Sequence, residues 1–138
     1  MAASLIVLLG FAGLIIVLLA LIVGYRSIVV VSAKTPANSW TRGNAQWNNP
    51  GFITRAEHAH ANCLEMLPLL GAVILVSAVT DQLTVTDGLA YWFLGARVGQ
   101  AVTHILSASA GFVIVRASFF AVQLVILVIW ILQLSGLL

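Results

Sequence analysis

Residues 5–23 are Leu, Ile, Val, Ala and Gly broken only by Phe11, with no charged or hydrogen-bonding side chain among them. A bilayer takes about 20 apolar residues of helix per crossing, so this run fits hydrocarbon. It follows MAAS rather than a basic n-region and is too long for an ordinary h-region, which predicts a retained first span over about 5–31. The rest of the chain agrees: of 138 residues 62% are hydrophobic and 7% charged, and a soluble domain of this length would carry several times more surface charge. Further apolar segments at about 56–79, 88–106 and 112–134 leave one long polar connection, 32–54. The expected fold is an all-α integral membrane protein, a single four-transmembrane-helix bundle over 1–138. A net charge of +2, scattered along the chain, excludes a nucleic-acid partner. Cys63 is the one cysteine; it can form no intramolecular disulfide and reads as a small packing residue.

Polar residues inside such spans are costly and therefore informative. In RAEHAHANCLEMLP, residues 55–68, Arg55, His58, Asn62 and Glu65 fall within roughly 80° of arc at about 100° per residue. An ionisable group in lipid costs several kcal/mol, so this stripe should face protein or a wet cavity. Thr54 and Glu57 stand at capping-box spacing and place the helix start there, and Pro68 predicts a bend near Glu65. Arg97, Gln100, His104 and Ser107 make a second stripe in the third span. Arg116 opens the fourth, with Gln123 on its face seven residues later. The loop 34–54 is rich in Asn, Pro and Gly; its Trp40 and Trp47 suit an interface, while Trp92, Phe93 and Trp130 read as lipid-facing or interfacial.

Arg26, Lys34, Arg42 and Arg55 flank or occupy the first loop, whereas Asp81 and Asp87 mark the second, so the first loop is expected on the cytoplasmic side with both termini opposite. Arg26, Arg55, His58, Asn62, His104 and Arg116 then gather in the inner half of the bilayer. Arg26 either snorkels to headgroups or turns into the bundle. Glu65 and Arg97 lie deeper and can pair. Such a set of cations, amides and imidazoles suits a small anionic ligand from the cytoplasm meeting a lipophilic small molecule from the membrane lipid. His58 and His60 diverge by about 160° on a helix and cannot readily share a metal; no metal site is expected.

The second-helix run, with Asn62, Glu65 and Pro68, resembles the signature of the membrane-associated proteins in eicosanoid and glutathione metabolism, the MAPEG family, in a bacterial-type form. ARVGQAVTH and VRASFF resemble the family's third helix and the start of its fourth. The resemblance implies a homotrimer with a cytosolic first loop and glutathione as cosubstrate, bound near the cytosolic side with its thiol activated for attack on a lipophilic electrophile or peroxide. Asn62, Glu65, Arg97 and Arg116 match family positions, and Arg26 stands loosely at the first-helix arginine. His58 and Ala61 replace two arginines, His104 and Phe120 replace two tyrosines, and Ala117 stands where some members have a serine, with Ser118 next. On this resemblance Arg116, with Ser118 second, stabilises the thiolate, while Arg26, Arg55, His58, Asn62, Glu65, Arg97, Gln100 and His104 hold glutathione. The alternative is a noncatalytic membrane scaffold, lipid-binding or accessory subunit that retains the fold.

Overall fold

The computed structural model describes residues 1–41 and 46–138; Arg42, one of the basic residues behind the orientation argument, lies outside them. The described residues contain the helices α1 (Ala3–Ser32), α2 (Gly51–Val79), α3 (Leu83–Leu106) and α4 (Ala110–Leu134) and no strand. Three of them, α1, α2 and α4, are by themselves long and apolar enough to cross a membrane. Helix α3 carries Asp87, Arg97, Gln100 and His104 and is less apolar, but it packs on all three others. Consecutive helices pack side by side, α2 touches α4 lightly, and α1 and α4 do not pack directly on each other. The helix that lipid would tolerate least thus has the most protein around it.

Two helix starts differ from expectation. Helix α2 begins at Gly51, not at a Thr54 cap: Pro50 (φ −55°, ψ 145°) holds the entering chain extended, and its carbonyl accepts the N–H of Ile53 at 3.0 Å and of Thr54 at 3.2 Å. Pro has a preset φ and no N–H to satisfy, so it starts the helix a turn early. Glu57 is consequently free of the backbone and binds Arg26 and Asn49. Helix α3 begins at Leu83, inside what reads as an acidic connection. The Ser77 and Thr86 hydroxyls lie 3.2 Å apart and join the end of α2 to that first turn, while Asp81 (φ 57°) makes the bend. Helix α2 runs unbroken through Pro68.

The core is built on Phe11, Phe93 and Trp130, one each from α1, α3 and α4. Phe11 and Phe93 have ring centroids 6.3 Å apart, and Phe93 stacks on Trp130 at 5.8 Å. All three are fully buried, which corrects the lipid-facing reading of Phe93 and Trp130. Aromatic pairs in such geometry contribute about 0.5–1.5 kcal/mol beyond the area they bury, so they fix how three helices meet. Trp92, one residue along, is exposed at 73% as expected of a lipid-facing ring.

Candidate functional site

Inside this bundle Arg97 is 1% exposed. Its neighbours are amides, a sulfur and a ring. Nη1 donates to Gln100 Oε1 at 2.9 Å and to Gln123 Oε1 at 3.3 Å, Nε donates to Cys63 Sγ at 3.3 Å, and the guanidinium carbon stands 5.3 Å from the Phe11 ring centroid. Gln123 Nε2 closes the network onto Gln100 Oε1 at 2.8 Å and the Phe119 carbonyl at 3.0 Å. Nη2 is buried without a partner. The expected Glu65–Arg97 pair does not form: Glu65 is exposed on the outside of α2, whereas Cys63 and Met66 occupy the face turned to α3. Among the described residues the ion pair present is Arg26–Glu57, at 2.7 Å. A buried cation without a carboxylate is held here by oriented dipoles and the aromatic face.

Toward the end where α2 starts and α3 stops, the polar residues open to a cavity. Asn62 from α2, Gln100 from α3 and Arg116 from α4 line a space of ≈ 190 Å³ together with Val113, Ala117 and Phe120. Asn62 and Gln100 also line a narrow crevice with Cys63, Arg97 and His104 that has no room for water. The same two amides therefore touch both the buried network and the open cavity. Arg55 sits above, its Nε donating at 2.7 Å to the carbonyl of Ile105 in the last turn of α3, where unsatisfied carbonyls favour a cation. His58 and His104 face each other with ring centroids 6.2 Å apart. Arg116 lines the open cavity and His104 the adjoining crevice, and neither they nor Arg55 and His58 has a carboxylate partner among the described residues. A guanidinium without a carboxylate partner is a group that can hold an anion.

Of the residues expected to act together, Asn62, Gln100 and Arg116 share the cavity and His104 and Arg97 the adjoining crevice. Ser118 lies on the exposed side of α4 and donates to the Ile114 carbonyl at 3.0 Å. Arg26 is bound to Glu57 on the α1 side of α2, away from the cavity. Cys63 as partner of Arg97 was not legible in the sequence. Gln123 left a signal, an amide inside a long apolar span at helical spacing from Arg116.

The family model described as MAPEG family matches residues 4–136. No curated relative and no solved structure matches the chain.

Proposed function

The chain belongs to the MAPEG family, and from that premise we propose that it is a glutathione-dependent transferase or peroxidase whose second substrate is lipophilic and reaches the site through the bilayer. The family's general character is glutathione-related transferase or peroxidase chemistry in membranes. The observation that carries the reading is the meeting of Asn62, Gln100 and Arg116 at one open cavity, where Arg116 has no carboxylate partner among the described residues. Glutathione brings two carboxylates for Arg55 and the histidines, an amide backbone for Asn62 and Gln100, and a thiol for Arg116. A guanidinium beside a sulfur favours the thiolate, the nucleophilic form. In the transferase reaction the thiol proton leaves to water and a carbon–sulfur bond forms at the electrophile, whose leaving group departs with its bonding pair or, in an addition, whose activated double bond takes up the pair and is then protonated by water. In the peroxidase reaction the thiolate takes the distal peroxide oxygen, an alcohol leaves, and a second glutathione converts the sulfenic acid to disulfide and water. Ser118 enters only as a second, outward-facing donor.

The reading includes a homotrimer. Ligand pockets usually run about 300–1,000 Å³, and ≈ 190 Å³ in one chain is too small for the whole tripeptide. Glu65 and His58 are exposed on the outside of α2 beside the cavity-lining Asn62. A carboxylate at that position faces lipid unless another copy covers it. The copies would share a cytoplasmic first loop, with glutathione entering from that side. One observation favours the noncatalytic alternative, in which the scaffold binds lipid or serves as an accessory subunit: Ala117 and Phe120 line the cavity without a hydroxyl. Calorimetric titration of the detergent-solubilised protein with glutathione tests the reading. Saturable binding that weakens in Arg116→Ala is expected; no heat at millimolar glutathione contradicts it.

A further inference from the structure

At the end of α1 far from Ser4, a closed circuit of contacts surrounds Arg26. Its Nη2 donates to Glu57 Oε1 at 2.7 Å, Asn49 Nδ2 donates to the same oxygen at 3.0 Å, and the Trp40 indole N–H donates to Asn49 Oδ1 at 2.9 Å. Arg26 closes the circuit with its guanidinium 5.6 Å from the Trp40 ring centroid. Each member is held by two others, so the segment around Trp40 is fixed over the last turns of α1 rather than draped there. Between them runs an open groove of ≈ 570 Å³. Val23, Val30 and Val31 give it an apolar wall, and Arg26, Asn38 and Thr41 give it polar groups.

The position of this groove decides what suits it. The 30 residues of α1 span about 45 Å at 1.5 Å each, against about 30 Å of hydrocarbon, so an end of this helix must emerge into the headgroup layer. Arg26, Trp40 and Trp47 cluster at this end, and Trp47 donates to the Tyr25 hydroxyl at 3.2 Å, the kind of aromatic belt found at that depth. The groove therefore offers an apolar wall beside donors at the boundary between acyl chains and phosphates. Glu57 already balances the charge of Arg26 at Nη2, while Nη1 makes no hydrogen bond among the described residues and Arg26 lines the groove. What is left over is hydrogen-bond donation, which an oxygen-rich phosphate diester satisfies.

We propose that this groove binds one glycerophospholipid per chain, its phosphate accepting from Arg26 and Asn38 and one acyl chain lying along Val23, Val30 and Val31. The site is separate from the glutathione cavity and stands whether or not that cavity is catalytic. Delipidated, full-length protein in detergent is titrated with dioleoylphosphatidylglycerol, or with dioleoylglycerol, which lacks the phosphate, and bound lipid is counted by native mass spectrometry. Two variants accompany it: Arg26→Gln removes the cation, and Val31→Trp, at a residue 81% exposed, fills the groove without touching the Glu57 circuit. One phospholipid per chain is expected, weakened about tenfold or more in either variant and for dioleoylglycerol, in Arg26→Gln and dioleoylglycerol through loss of a charge-assisted bond and in Val31→Trp through loss of space. Equal retention in wild type and Val31→Trp overturns the proposal, as does equal affinity for the two lipids. A change of oligomeric state in Val31→Trp, with lipid binding unaltered, assigns the groove to contact between copies and also overturns it.

Discussion

Asp87, in the second turn of α3, accepts two hydrogen bonds on one carboxylate oxygen from Ser4 at the start of α1, from the backbone N–H at 2.8 Å and from the hydroxyl at 2.6 Å. The first turn of α1 has no cap of its own. A side chain 83 residues away supplies one, satisfying an orphan donor with a charge at the positive end of the helix.

Asp87→Ala should therefore loosen the α1–α3 contact and cost about 1–2 kcal/mol, the range for losing a cap. Thermal unfolding in detergent, followed by circular dichroism, checks it; an unchanged midpoint would show that the two bonds contribute nothing net. Asp87→Asn keeps an acceptor oxygen and should lose less.

Gln123→Leu removes both an acceptor of Arg97 and the donor to Gln100. Leaving buried groups unpaired costs about 1–3 kcal/mol. Adding Arg97→Met should recover part of that loss, because an apolar replacement of a buried charge is often neutral or better. A double variant less stable than Gln123→Leu alone contradicts this account of the network.

Phe119 of α4 packs directly over Gly99 of α3: a Cβ there would stand 2.8 Å from the Phe119 ring. Gly99→Ala gains helix propensity of about 1 kcal/mol, but the clash should outweigh it and leave a net loss of about 1–2 kcal/mol. Combining it with Phe119→Leu should restore stability in the same unfolding assay; a stabilised single variant would mean the ring moves aside freely.

Glu65→Gln tests the proposed contact between copies. Fewer trimers by analytical ultracentrifugation, or weaker glutathione binding, is expected. Wild-type behaviour in both removes Glu65 from the site.

The four helices were readable because apolar runs of bilayer length leave few alternatives. Their starts were not: Thr54 and Glu57 have capping-box spacing, but Pro50 begins α2 earlier and Glu57 is drawn to Arg26. The stripes of Arg55, His58 and Asn62 on α2 and of Arg97, Gln100 and His104 on α3 follow from helical period alone. Which stripe meets which residue depends on how the helices rotate about their axes, and period says nothing of that. Hence Arg97 met Cys63 and Gln123 instead of Glu65, and Asp87, which reads as loop acid, became the cap of α1. Phe93 and Trp130 looked lipid-facing for the same reason, since in a chain this apolar hydrophobicity does not separate core from lipid.

The most direct test of the central claim, that Arg116 holds a thiolate of bound glutathione in the cavity with Asn62 and Gln100, is the ultraviolet absorbance of thiolate when glutathione is added to the purified protein. A saturable thiolate band at neutral pH is expected, largely lost in Arg116→Ala while helix content and oligomeric state are retained. No band in the wild type, or an equal band in Arg116→Ala, would contradict it.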